Sequence, residues 1–108
     1  MSKYLDFTGY THSDLTSAAI ENYLVHGLEP GSFMLSVLRN DLVGAVSRAD
    51  HWNKQMLPDI VGWIRDNAPA GSWGCPENVL AWLRDEDGRR TRYVERLEKT
   101  AVWNTLGE

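Results

Sequence analysis

The sequence predicts an all-α fold, a single compact domain of four to six short helices. Three observations predict it. Apolar residues recur at Met34, Leu38, Leu42, Ala45 and Ala49, spaced four, four, three and four, which traces one face of a helix. Stop and start signals cut the chain into helix-length pieces at Gly27, Pro30-Gly31-Ser32, Asn40-Asp41, Asp50 and residues 67–74. No stretch alternates with period two for long, and residues 92–94 are the one weak strand candidate.

Residues 1–11 show no period and are expected to form a loose N-terminal arm. Ser13 or Asp14 would cap a first helix, with Thr16, Ile20, Tyr23, Leu24 and Gly27 on one face and Glu21 and Asn22 toward solvent. Gly27 suits a left-handed stop, with Leu28 folding back and Pro30 enforcing the end. Ser32 would cap a second helix. Asn40-Asp41 marks a junction at which Asp41 could cap a third, because both residues compete for local backbone bonds.

Asp50 or Asn53 starts the next helix. Its stripe is Trp52, Met56, Ile60 and Trp63, with Leu57, Val61 and Ile64 beside it. Pro58 should kink this helix or mark its true first turn. Residues 67–74 are turn chemistry, and Trp73 is expected to fold back into the core and pin that loop. Pro76 at a first helical position opens a short helix, residues 76–83. After a break at residues 85–88, Tyr93, Val94, Leu97 and Ala101 pattern a last helix. The expected organisation is an arm (1–11), a helical core domain (12–83) and a charged C-terminal helical extension (84–108). The expected core is Leu24, Phe33, Val37, Leu38, Leu42, Val46, Ile60, Ile64 and Trp73.

The strings Pro30-Gly31-Ser32-Phe33, Val37-Leu38-Arg39-Asn40-Asp41-Leu42, Arg48-Ala49-Asp50 with Asn53, and Gly71-Ser72-Trp73-Gly74 resemble a set of small helical proteins encoded by tailed bacteriophages and prophages. The resemblance covers residues 16–83. It implies phage origin and helical architecture, and no activity, because the family it points to has none assigned. Two positions depart from the pattern: Cys75 stands where the relatives usually have Ser, and Pro58 where an apolar residue is expected.

At 108 residues the chain fits one domain that can bury a core without metal or disulfide. Apolar and charged fractions of 43% and 24% are those of a soluble globular protein. The formal charge of −4 argues against non-specific binding of duplex DNA. A single cysteine excludes an intrachain disulfide and suits a reducing cytoplasm. No apolar run approaches ~18 residues, so no membrane span or membrane partner is expected.

Candidate chemistry is sparse. His12, His26, His51 and Cys75 lack metal-ligand spacing, and no cofactor is expected. Cys75 reads as a helix cap rather than a nucleophile. The pairs Asp41 with Asp50 and Asp59 with Asp66 read as caps and solvated faces rather than an acid–base dyad. The Gly71-Ser72-Trp73-Gly74 turn could hold a small anion on its N–H groups, with Trp73 as a stacking face. Arg84, Arg89, Arg90, Arg92, Arg96 and Lys99 cluster near the C-terminus, and Arg89, Arg92 and Arg96 share a face that Tyr93 and Trp103 could interleave. The bland alternative is a solvated helix with internal ion pairs such as Glu95 with Lys99.

Five tryptophans serve as core or as interface hot spots, with Trp52 and Trp103 the expected exposed contacts. The combined expectation is a non-enzymatic phage protein in the host cytoplasm that binds a host or phage protein stoichiometrically, inhibiting a host defence such as CRISPR or redirecting a host enzyme. Its contacts would be Trp52, Trp103, Arg89, Arg92, Tyr93 and Arg96. The alternative is a small-ligand or nucleic-acid binder using the Arg-rich helix or the Gly-Ser-Trp-Gly turn.

Overall fold

The computed structural model describes residues 4–106, with side chains described through residue 100. Its elements are α1 (Asp14–His26), α2 (Ser32–Leu38), α3 (Leu42–Arg48), α4 (His51–Asn67), α5 (Pro76–Leu83) and α6 (Arg89–Leu106), with single 3₁₀ turns at Ala70–Ser72 and Glu86–Gly88. No strand occurs among the described residues, and residues 92–94 are helical. The chain is an all-helical single domain.

Short-range chemistry sets the ends of these helices. Ser13 caps α1 by accepting from the Thr16 N–H at 3.1 Å. Gly27 ends α1 in the left-handed region at φ 65°, where its N–H and that of Leu28 return to the Tyr23 and Asn22 carbonyls. The Leu28 side chain nonetheless stands exposed. Asp50 caps α4 through the Asn53 N–H, and Pro76 occupies the first turn of α5. Ser32 does not cap α2: Gly31 takes that place and no side chain bonds there. Pro58 lies inside α4 and does not mark its first turn. It sits on the exposed side, where the carbonyl freed by its missing N–H can be hydrated.

The turn between α2 and α3 corrects the expected core. Asn40 adopts φ 63° and Asp41 caps α3 through the Gly44 N–H at 2.9 Å. The left-handed residue folds α3 back on α2, so the stripe of Met34 and Leu38 does not continue. Gly44 and Ala45 become the buried residues of α3, while Leu42 is 70% exposed and Val46 is also exposed.

The centre of the molecule is aromatic. Trp63, Trp82 and Tyr23 are fully buried with Ile20, Leu24, Leu38, Ile60, Ile64 and Val79. Trp82 Nε1 donates to the Tyr23 carbonyl at 3.2 Å, and the Tyr23 hydroxyl donates to the Ser72 carbonyl at 2.7 Å. Val37 is buried, whereas Phe33 and Trp73 are half-buried at the margin. The 70–74 loop is held by that tyrosine and by the Gly74 N–H on the Leu38 carbonyl at 2.7 Å, so Trp73 is not its only pin.

Both expected appendages belong to the core. Residues 4–11 are docked rather than loose. Leu5, Phe7 and Tyr10 pack on the helices, and the Phe7 ring lies 4.5 Å from that of Trp63. Trp63 Nε1 donates to the Asp6 carbonyl at 2.8 Å, Thr11 N–H to Asp59 at 3.0 Å and the Tyr10 hydroxyl to Asp66 at 2.7 Å. Glu21, expected in solvent, is buried and accepts the N–H groups of Tyr4 and Leu5. At the other end, α6 lays Tyr93, Val94 and Leu97 on the core, so residues 84–100 are no extension. Asp85 caps α6 through the N–H groups of Arg90 and Thr91. The Thr91 hydroxyl first, and then those N–H bonds, hold its carboxyl below the usual carboxylate range.

Candidate functional site

The outward turn of α3 creates an apolar groove. Leu42 and Ala45 of α3 form one wall, and Leu57, Val61 and Ile64 of α4 form the other. Ser36, Val37, Asn40, Asp41 and Trp73 complete its lining. The cavity is about 160 Å³, the scale of one or two large apolar side chains. Leu42 and Val46, at i and i+4, form a ridge beside it, while Val43, 76% exposed, projects about 100° around α3 from Leu42 and does not line the cavity. On α4, Lys54 and Arg65 continue the stripe of Leu57 and Val61 at helical spacing, so cations flank that wall.

Trp52 is exposed as expected, at 67%, but not on this groove. Nine residues at about 100° each place it ~180° around α4 from Val61. There it forms a second patch with Leu15, which is 85% exposed, and Met56 beside His12. His12 is the unusual group of this patch. Its Nε2 is buried without a hydrogen-bond partner, its Nδ1 lies 3.4 Å from Ser17 Oγ, and Phe7 meets the ring edge-on at 5.2 Å.

Burial lowers the His12 pKa from the ordinary 6.5, against the weaker opposing pull of Asp59. The folded state therefore prefers neutral His12. Its contribution to stability is full above pH 6.5 and falls as pH drops from 6.5 toward the depressed folded value, because the unfolded chain takes the proton first. Urea midpoints measured at pH 7.5 and pH 5 should show this loss in the wild type. The loss should shrink in His12→Phe, and an unchanged pH slope in that variant would remove His12 as its source.

Of the other predicted contacts, Arg92 and Arg96 are exposed on one face of α6, and Arg89 is half-buried beside them. Together they line a trough of about 340 Å³ with Pro69, Gly71, Asp87 and the Trp82 edge. Tyr93 does not interleave with them. It is only 8% exposed, and burial pushes its hydroxyl pKa up to about 12. Trp103 lies outside the residues whose side chains are described. The anticipated Glu95–Lys99 ion pair is not formed: ion pairs among the described residues join Asp41 to Arg48, Arg65 to Asp66 and Asp87 to Arg89.

Cys75 holds the N-cap position of α5 but its thiol makes no cap hydrogen bond. Asp41 and Asp50 are helix caps, while Asp59 and Asp66 hold residues 10–11. Two N–H groups of the Gly-Ser-Trp-Gly turn are spent internally, Ser72 on Pro69 and Gly74 on Leu38, so this turn is not an open anion cradle. Among the described residues, no three His, Cys, Asp or Glu converge on a possible metal position, and no helix is long and apolar enough to cross a membrane. No family model, no curated protein and no solved structure matches this chain.

Proposed function

We propose that this protein acts by stoichiometric binding to another protein, and that the groove between α3 and α4 is its contact surface. The observation that carries this reading is the exposure of Leu42 and Val61 on the two sides of an apolar cavity, with Val46 exposed beside Leu42. A seven-residue helix that exposes three large aliphatic side chains leaves them uncovered at a cost of about 25 cal/mol per Å² of apolar surface. A partner covering the groove would recover that free energy.

The occupant that fits is an amphipathic helix of another protein. Its apolar anchors would enter the groove, and acidic flanks would meet Lys54 and Arg65 on the α4 edge. The resemblance to tailed-phage proteins supports a partner in the host bacterial cytoplasm, either a phage protein or a host enzyme or defence component such as a CRISPR effector. The function proposed is non-enzymatic.

Capture from bacterial lysate, followed by titration of the purified partner, tests this. Leu42→Asp should fold normally, since the side chain is 70% exposed, and should weaken the partner's affinity about 30-fold, equivalent to ~2 kcal/mol. Trp52→Ala should leave that affinity within threefold. The opposite ranking would move the interface to the Trp52 patch. Self-association of the wild type that Leu42→Asp abolishes would show a second copy to be the occupant.

A further inference from the structure

We propose that the cationic stripe of α6 binds the phosphodiester backbone of a nucleic-acid single strand, independently of the groove. Arg89, Arg92, Arg96 and Lys99 recur at i, i+3, i+7 and i+10, which places them on one side of the helix. At 1.5 Å per residue the row spans ~15 Å. A linear array of that length suits a linear polyanion better than a compact phosphate ligand, which would engage only part of it.

The array is largely uncommitted. Asp87 is the one acid lining the trough, and its carboxylate pairs with Arg89 at 3.4 Å. Arg89 is also held by the Gly71 carbonyl at 3.1 Å, and Arg92 donates to the Asp87 carbonyl. Each guanidinium carries five donors, so these bonds orient the two arginines and leave donors for phosphate oxygens. The Arg96 and Lys99 side chains make no hydrogen bond or ion pair among the described residues. Helical spacing turns Glu95 and Glu98 to the adjoining faces. The α6 N-terminus takes no part, because Asp85 already occupies its N–H groups.

The charge distribution selects the kind of polyanion. Residues 84–100 carry six basic and five acidic side chains, while the rest of the chain carries five basic and ten acidic. A thin, flexible strand can follow one helix face and avoid the acidic remainder. A duplex, stiffer and more densely charged, brings phosphates against it. Tyr93 is buried and offers no ring face, so the contact is to backbone and independent of sequence.

The test is fluorescence anisotropy with labelled single-stranded DNA, single-stranded RNA and duplex DNA at 50 and 200 mM salt. Three to four phosphate contacts on a single strand should weaken binding roughly 20- to 50-fold across that range. Arg96→Glu should remove binding at 50 mM salt without unfolding, because the side chain is exposed and unpaired. Arg39→Glu, with the same change in net charge at an exposed position after α2, should leave it within threefold. No binding at 50 mM salt, equal loss in Arg39→Glu, or tighter binding of duplex than of single strand would each overturn the proposal. Competition by polyglutamate as effective as by single strand would point to an acidic peptide instead.

Discussion

Trp82→Ala is expected to destabilise the fold by about 3–5 kcal/mol, the range for truncating a buried aromatic. Trp82 is fully buried and joins three helices. Its indole N–H donates to the Tyr23 carbonyl of α1 at 3.2 Å, and its ring meets Tyr93 of α6 edge-on at 5.6 Å. Truncation leaves a cavity at that junction and removes one of the two donors to the Tyr23 carbonyl, which keeps the Gly27 N–H. Domains of this size hold about 5–15 kcal/mol in total, so the variant would be near unfolding. With a urea dependence of about 1–3 kcal/mol per M, the midpoint should fall by ~2 M. Trp52→Ala, at an exposed position, should stay within about 0.5 kcal/mol of wild type. Trp73→Ala should fall between the two, because Trp73 is only half-buried. If Trp82→Ala and Trp52→Ala gave equal midpoints, the aromatic centre would not be the seat of stability.

Gly27→Ala is expected to cost about 2–4 kcal/mol, from two additive causes. Gly27 sits at φ 65°, where a side chain adds about 1–2 kcal/mol of steric strain. A Cβ there would also lie 2.4 Å from Cζ of Arg90. That guanidinium cannot move freely: its Nε donates to the Trp82 carbonyl at 3.1 Å and its Nη2 to the Leu83 carbonyl at 3.4 Å, at the C-terminal end of α5. Displacing it loses hydrogen bonds to a charged donor, worth about 1.5–3 kcal/mol each at most. Gly9→Ala separates the causes. Gly9 also has positive φ, at 93°, but nothing lies within 4 Å of its would-be Cβ, so only backbone strain applies. The coupling should appear in a cycle with Arg90→Ala: once the guanidinium is gone, Gly27→Ala should cost no more than Gly9→Ala. A Gly27→Ala cost that is unchanged in the Arg90→Ala background would mean that the two residues do not compete for space.

The helices, their order and most of their ends were legible in the sequence, because they depend on chemistry within four residues. Ser13, Gly27, Asp41 and Asp50 cap or stop helices through bonds to their own near neighbours, and Pro76 opens α5 through its fixed φ. What those helices bury was legible only in part. Leu42 and Val46 continue an apolar period and were expected inside, but a single left-handed residue, Asn40, redirects α3 so that its small residues pack and its large ones face out. Periodicity states which side chains share a face; it does not state which way that face points. Residues 4–11 and α6 looked peripheral for a related reason. Their partners, Trp63, Asp59, Glu21 and the α1–α5 junction, are remote in sequence, and an extended segment has no helical period to announce its burial.

The candidate surfaces divide in the same way. The α6 cations and an exposed Trp52 could be read from composition and spacing. The groove between α3 and α4 could not, nor could the burial of Tyr93, because each depends on where a second helix lies. Helix caps and stops act through local energies, so an all-helical chain follows from residue order. Which apolar residues became core and which became surface follows from packing, since burial is shared between residues that the fold alone brings together.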